Sequence, residues 1–473
     1  MKRLSIVLGL FALMSCGEVQ KQPMNVLFIA VDDLRPELGC YGAEHIQSPN
    51  IDALATEGTV FNRAFCNVPV CGASRASLLS GLRPTQSRFK VYNTRKDEQA
   101  GAFPSIPAHL KQNGYQTISL GKVYHIQNDD SLAWDKIWRN NKPHNNRDYA
   151  LAPNIAQAKT NKRHQSVCSE IRPDDGELYN DEILSKQAIA TLDQLNEGDQ
   201  PFFLAVGFWK PHLPFNAPKR FWDLYDPNEI DLPEGGFNPE TAPEQAFHNF
   251  GELRNYKDIP GGKHPLPDSL ARHLIHGYYA CVSFVDAQIG QVLDHLKATG
   301  MDKNTMVVLW GDHGWNLRDH GLWCKHSNFT SSTRSSLIIN LPEKQIQYSD
   351  QIVEFVDIYP TLTELLALPK PKHLQGDSFA RGLTDEDWQS DGVAISNWEK
   401  GISLINKEYV YTSWIDENGQ TAAQMLYDAN KDAKEQNNLA PTADPELIQS
   451  LQEQIKQHLN TDYFDRLYTE AQP

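Results

Sequence analysis

Four short apolar runs constrain this chain more than any other feature. Residues 25–31 (NVLFIAV), 116–120 (QTISL), 202–208 (FFLAVGF) and 305–310 (TMVVLW) are rich in branched and aromatic side chains and too short for buried helices. Such runs read as strands covered on both faces, the pattern of a parallel sheet held between helices. The intervening stretches supply the helices. Residues 49–57 start behind Ser48 and stop at Gly58, a longer helical pattern runs over 269–298, and another follows Asp357 with Pro360 in its first turn. The alternation predicts an α/β/α sandwich on a mostly parallel sheet. Beyond Leu368-Pro369 the character changes. Strand-like pieces at 392–397 and 409–414 precede a helix with Leu447, Leu451, Ile455 and Leu459 on one face, which predicts a small α+β subdomain over 371–473 behind a large domain over 24–370.

Residues 127–177 and 214–267 are rich in Asn, Asp, Pro and Gly and lack sustained periodicity; loops that long in a compact domain are often functional, and we expect them to wall a pocket. The formal net charge of -16 argues against nucleic acid or an anionic membrane held by bulk electrostatics. An anionic substrate then needs local cations. At the N-terminus, Lys2-Arg3 precede an apolar run too short to span a bilayer, which predicts a signal peptide over 1–16. Leu13-Met14-Ser15-Cys16 is similar to a bacterial lipobox, so the expectation is an exported lipoprotein, periplasmic or at the outer-membrane surface, anchored through Cys16 with residues 17–23 as a tether. The seven cysteines show no C-x-x-C spacing, so neither a zinc ribbon nor a dense disulfide framework is indicated.

The chemistry gathers at strand ends. The first run empties into Asp32-Asp33, and the last is followed by Asp312-His313. Carboxylates at the carboxyl ends of parallel strands suit a hard cation, Ca2+ or Mg2+, better than structural zinc. Either pair alone reads more simply as a cap or a solvated turn. The segment from Cys71 to Arg83, CGASRASLLSGLR, places a cysteine just before a predicted helix, where free backbone N–H groups and positive potential favour an anion or an activated nucleophile. Arg75 adds a fork that fits a tetrahedral anion. Read blandly, Cys71 is a small buried hydrophobe.

These segments resemble the formylglycine-dependent sulfatases, most closely the iduronate-2-sulfatase type. The similarity rests on NVLFIAVDDLRPELGCYG from Asn25, SPNIDALA from Ser48, the Cys71 segment, GYQTISLGKVYH from Gly114, FFLAVGFWKPHLPF from Phe202 and GDHGWNLRDHGLWCK from Gly311, with LYDANKDAKEQNNLA from Leu426 in the C-terminal part. Two departures stand out. Ala73 replaces the proline of the usual C-x-P-S-R core, and Ser80-Gly81-Leu82 replaces the usual T-G-R.

The resemblance implies an alkaline-phosphatase-like sandwich, oxidation of Cys71 to formylglycine by a maturation enzyme, and hydrolysis of sulfate esters on a carbohydrate. The candidates are sulfated glycosaminoglycans or algal polysaccharides such as ulvan, with a uronate 2-O-sulfate among them. It also implies one Ca2+, or Mg2+, held by Asp32, Asp33, Asp312, His313 and residue 71. Arg75, Lys122 and Lys325 would neutralise the nucleophile and the sulfate, His212 would protonate the leaving oxygen, and His125 would deprotonate residue 71 as sulfate departs. Lys210 is expected on the sulfate or substrate, His320 in support of its loop, and Trp209, Trp315 or Trp323 against a sugar ring. Competing readings are a phosphoesterase or phosphonate hydrolase of the same superfamily and a noncatalytic lipoprotein that binds sulfated glycans.

Overall fold

The computed structural model describes residues 23–85, 87–140, 147–160, 165–233, 239, 241–262, 264–343, 345–416 and 420–459. The signal-peptide, lipobox and tether expectations for residues 1–22, and the end of the C-terminal subdomain beyond residue 459, lie outside the described residues. Eight strands build the main sheet: β1 (Asn25–Val31), β2 (Thr59–Phe65), β3 (Gln116–Gly121), β4 (Lys136–Trp138), β5 (Phe202–Phe208), β6 (Thr305–Gly311), β7 (Leu337–Asn340) and β8 (Tyr348–Glu354). Their order is β8-β2-β7-β6-β1-β5-β3-β4, and only β7 runs antiparallel to its neighbours.

The apolar runs lie at the centre of this sheet. Side chains of β1 alternate between two cores. Leu27, Ile29 and Val31 face one layer, with α1 (Pro49–Glu57), α3 (Asn180–Asn196) and α4 (Asp268–Ala298). Val26, Phe28 and Ala30 face the other, with α2 (Cys71–Ser80) and α5 (Ile358–Leu365). The chain is therefore the α/β/α sandwich that the alternation predicts.

Register then places the chemistry. Val31 pairs with Phe208 on β5 and with Gly311 on β6, and Gly121 at the end of β3 pairs with Gly207. Four strands thus end along one edge, and Asp32-Asp33, Lys122, Trp209-Lys210 and Asp312-His313 emerge side by side. Gly207 permits the closest of these approaches, because a Cβ there would stand 2.1 Å from the Lys122 carbonyl carbon.

A second, antiparallel sheet follows: β9 (Ala394–Trp398), β10 (Gly401–Ile405), β11 (Tyr409–Ile415) and β12 (Thr421–Asp428). One face packs on α6 (Pro445–His458) through Leu451, Ile455 and Leu459, with Leu447 half-buried beside them. The opposite face packs on Phe65, Phe329 and Ile352, which fixes it to the large sheet. The six described cysteines are all free, and no helix among the described residues is long and apolar enough to cross a membrane.

Candidate active site

Cys71 is the first residue of α2, one position further into the helix than the sequence suggests, because the extended Val70 already serves as its cap. Its Sγ lies 3.2 Å from His313 Nε2 and 3.8 Å from Asp33 Oδ1. His313 holds its other nitrogen, Nδ1, 2.9 Å from the Gly314 carbonyl, so Nδ1 donates there and Nε2 is turned toward Cys71. Asp33 adopts φ 62°, a left-handed conformation that aspartate tolerates better than most residues, and its N–H donates to Asp312 Oδ1 at 2.9 Å. Asp32, Asp33, Cys71 and His212 bring ligand atoms within 4.8 Å of one another, as do Cys71, Asp312 and His313. The expected metal ligands therefore meet around Cys71.

Basic groups bracket this cluster. Arg75 donates from Nε to Asp312 Oδ2 at 2.9 Å, from Nη2 to Asp32 Oδ1 at 3.0 Å, and from Nη1 to the carbonyls of Lys122 and Val123. Four of its five N–H groups are thus spent on the protein, so the fork aims the two carboxylates. Lys122 donates to Asp32 Oδ2, and Lys325 donates to both oxygens of Asp33 at 3.1 and 3.3 Å.

Electrostatics separates the carboxylates. Burial works against ionisation of Asp32, yet Lys122, His212 and Arg75 hold it well below the usual carboxylate range. Burial lifts Asp33 to about 7 in spite of Lys325, with the charge of Asp32 adding to the rise. A buried carboxylate whose ionisation Lys325 alone does not fully support, beside an imidazole nitrogen, is the setting a divalent cation completes. Burial also pushes the Cys71 thiol far up, so unmodified Cys71 is held protonated and is a poor nucleophile.

Two histidines face the same cavity of about 760 Å3, which Cys71, Lys122 and Lys325 also line. His212 keeps Nδ1 2.6 Å from the Leu213 carbonyl and turns Nε2 toward Glu252 Oε1 at 3.1 Å and Asp33 Oδ2 at 3.8 Å. Burial and then Lys325 lower its proton affinity, while Asp32 and Glu252 oppose them. Burial and the neighbouring Lys122 hold His125 well below its ordinary value, so it is a neutral imidazole with a buried Nδ1 that has no hydrogen-bond partner among the described residues.

Residues 24–368 match the sulfatase family, and residues 318–462 match N-sulphoglucosamine sulphohydrolase, C-terminal. The chain belongs to the sulfatase family. This sulfatase, a sulfuric ester hydrolase, is 34% identical to iduronate 2-sulfatase of Mus musculus, over 87% of its own length and 89% of the relative's. A solved structure of an enzyme in complex with its substrate D-glucosamine-2-N,6-O-disulfate aligns with a TM-score of 0.72 at 20% identity, covering 95% of this chain and 99% of that one. The phosphonate monoester hydrolase of Agrobacterium radiobacter aligns at 0.71 and 22% identity, covering 92% and 96%. At these identities the two structures establish the alkaline-phosphatase-like fold alone.

Other expected residues sit differently. Lys210 donates to the carbonyls of His212 at 3.1 Å and Pro214 at 2.6 Å, so its ammonium shapes the loop that carries His212. Trp315 and Trp323 are buried in the core, and Trp315 lies under Lys325 Nζ at 4.8 Å, which leaves Trp209 as the tryptophan of the cavity wall. His320 stacks on Phe329 at 3.8 Å and bonds the Lys434 carbonyl, a loop support as expected. Glu252 was not singled out by the sequence: it accepts from Lys325 at 2.9 Å and faces His212. It lies in the 214–267 excursion, where a lone Glu carries no signal beyond the expectation that this loop walls a pocket.

Proposed function

We propose that this sulfatase removes sulfate from a glycan through Cys71 converted to formylglycine, with one Ca2+ or Mg2+ held by Asp32, Asp33, Asp312, His313 and residue 71. The observation that carries the reading is the convergence on the Cys71 sulfur of buried carboxylates and an imidazole nitrogen, while the thiol itself is held protonated. Oxygen donors with one imidazole suit a hard cation. When bound, the cation would polarise an oxygen on residue 71 and one on the sulfate.

The chain's own groups supply the rest. Asp32 and Asp312 are aimed by Arg75, and Lys122 and Lys325 place positive charge where sulfate oxygens gather. His212 delivers a proton from Nε2 to the leaving sugar oxygen; the arriving sulfate, an anion, raises the proton affinity that burial and Lys325 depress. His125, neutral in the free protein, takes the proton from residue 71 that lets sulfate depart. Lys210 serves this reading by holding the His212 loop. Similarity to iduronate 2-sulfatase supports a sulfated uronate or its neighbouring sugar, in glycosaminoglycan or an algal polysaccharide such as ulvan. Residues 24–370 form the catalytic unit in this reading, with 371–473 as its buttress.

The test combines mass spectrometry of the peptide containing residue 71 with a sulfate-release screen over sulfated oligosaccharides. We expect an aldehyde or its hydrate at residue 71 and release from a subset of glycans. Full activity in protein shown to carry only unmodified Cys71 would overturn the mechanism. Two zinc ions per chain would favour a phosphoesterase instead.

A further inference from the structure

Most cations of the cavity are spoken for. Arg75 is spent on Asp32, Asp312 and two carbonyls, Arg139 donates to the carbonyls of Gly121, Tyr124 and His125, and Lys122 and Lys325 are paired with carboxylates. Arg147 differs. It lines the same cavity as Cys71, yet the one hydrogen bond of its side chain among the described residues is a long contact from Nη1 to the Tyr256 hydroxyl at 3.5 Å. Its Nε is shut off from solvent without a partner among the described residues, and its Cζ lies 5.9 Å from the centre of the Tyr256 ring. No carboxylate among the described residues pairs with it. Gln165 lines the same cavity, is 2% exposed, and leaves its Oε1 buried without a hydrogen-bond partner among the described residues.

Both groups neighbour Tyr256, and a partly buried guanidinium that feels the charge of Glu252 without an ion-pair contact, beside an unused amide acceptor, forgoes favourable contacts on both sides. One kind of ligand satisfies both groups. An anionic substituent would take the free N–H groups of Arg147 in fork geometry, and a hydroxyl near it would donate to Gln165. In the proposed function the scissile sulfate is not that anion, because it is assigned to the metal cluster, with Lys122 and Lys325 shared between it and the carboxylates.

We infer that Arg147 and Gln165 form a second anion-recognising corner of the cavity, which selects glycans that carry another negative group, a carboxylate or a second sulfate, besides the sulfate to be removed. This inference rests on the sulfatase reading. It makes Arg147 a specificity-determining residue, and it makes a doubly charged substrate bind more tightly than a singly charged one.

The test compares wild type, Arg147→Ala, Arg147→Lys and Gln165→Leu on four substrates: an aryl sulfate, a sulfated uronate-containing disaccharide, its carboxyl-reduced counterpart, and a disulfated disaccharide without a uronate. With Arg147→Ala we expect kcat/KM on the preferred doubly charged disaccharide to fall about 10- to 100-fold more than on the aryl sulfate, mainly through KM. Arg147→Lys should recover part of that loss, Gln165→Leu should show a smaller loss of the same selectivity, and the substrate lacking the second anion should lose little further in the Arg147→Ala variant. Whether the uronate or the disulfated substrate shows the loss tells carboxylate from sulfate. Equal losses on all four substrates, or a wild type that turns over aryl sulfate with no preference for a second anion, would overturn this corner while leaving the sulfatase reading intact. A wild type that carries the modified residue 71 and releases no sulfate from any of them would overturn both.

Discussion

Two buried charge clusters in this molecule are built from the same residue types and behave in opposite ways. At the junction of the two sheets, Glu354 accepts on Oε1 from Asn67 at 2.9 Å and from the Ile395 N–H at 2.8 Å, and a bidentate Arg83 spans both of its oxygens. His458 on α6 closes the set with Nε2 2.9 Å from Glu354 Oε2 and Nδ1 2.8 Å from Asp391. Despite burial, Arg83 and His458 hold the Glu354 carboxyl far below its ordinary range. At the catalytic cluster, burial lifts Asp33 to about 7, and His125, Glu252, Gln165 and Arg147 each keep a buried polar atom without a partner among the described residues. A charge cluster that closes on itself fastens one element to another, whereas one left incomplete is waiting for a cation and a substrate.

The largest effect that separates them is loss of the nucleophile. Cys71→Ala should lower turnover by about 10^4-fold or more, while the melting temperature measured by calorimetry moves little. Glu354→Ala should do the reverse: removing the buried carboxylate that Arg83 and His458 share costs about 3–5 kcal/mol of stability, and the specific activity of the protein that stays folded is retained. If Cys71→Ala proved as destabilising as Glu354→Ala, the two clusters would not differ in kind.

Chelation probes the same contrast without mutation. Removal of the divalent cation should abolish sulfate release and lower thermal stability, by about 2.7 kcal/mol where the metal had stood at 100 times its Kd, and Ca2+ should restore both. Protein that keeps full activity and the same melting temperature after thorough chelation would refute the metal assignment.

A smaller, selective effect is expected at His212. A general acid matters most when the leaving alcohol is a poor one, so His212→Ala should slow a sugar sulfate by about 10^2-fold or more, with much less damage to an aryl sulfate. Equal losses on both would leave His212 as a group that only binds sulfate.

The catalytic cluster was far more legible in the sequence than the junction cluster. The central strands β1, β5 and β6 are uniformly apolar, so composition alone marks them, and the polar residues directly behind them fall together once the register is parallel. β2 and β8 escaped notice because half-buried Asn62 and Arg63, and an exposed Tyr348, break the apolar pattern toward the sheet edge. Lys210 lines the cavity, as its position behind β5 suggests, whereas its bonds to the His212 and Pro214 carbonyls depend on the course of the following loop, which the sequence does not display. Glu252, Arg147 and Gln165 lie in excursions whose path depends on tertiary packing, so no spacing links them to Cys71. The Glu354–His458 pair spans residues 104 positions apart on elements that meet only when the small sheet docks, and neither residue stands in a motif.

The smallest expected effect on activity, and the finest test of the contrast, is the pH dependence of stability at His458. Burial opposes its charge, but Glu354 and Asp391 raise its value to about 10 in the folded protein, against about 6.5 for a histidine in the unfolded chain. A group with a raised folded value adds stability that is fully present below the unfolded value and is lost as pH climbs through the folded one. The advantage of wild type over His458→Gln should therefore stand at about 3 kcal/mol at pH 6 and shrink steadily toward pH 10, read as the gap between two urea unfolding midpoints across that window. Glu354 contributes with the opposite sign, its stabilisation fading only as pH falls below the unfolded carboxylate range. Turnover of the folded variant at neutral pH should match wild type, because His458 touches nothing in the cavity. A gap that stays constant from pH 6 to 10 would mean that His458 acts through packing of α6, and the charge-closure argument for this cluster would fail.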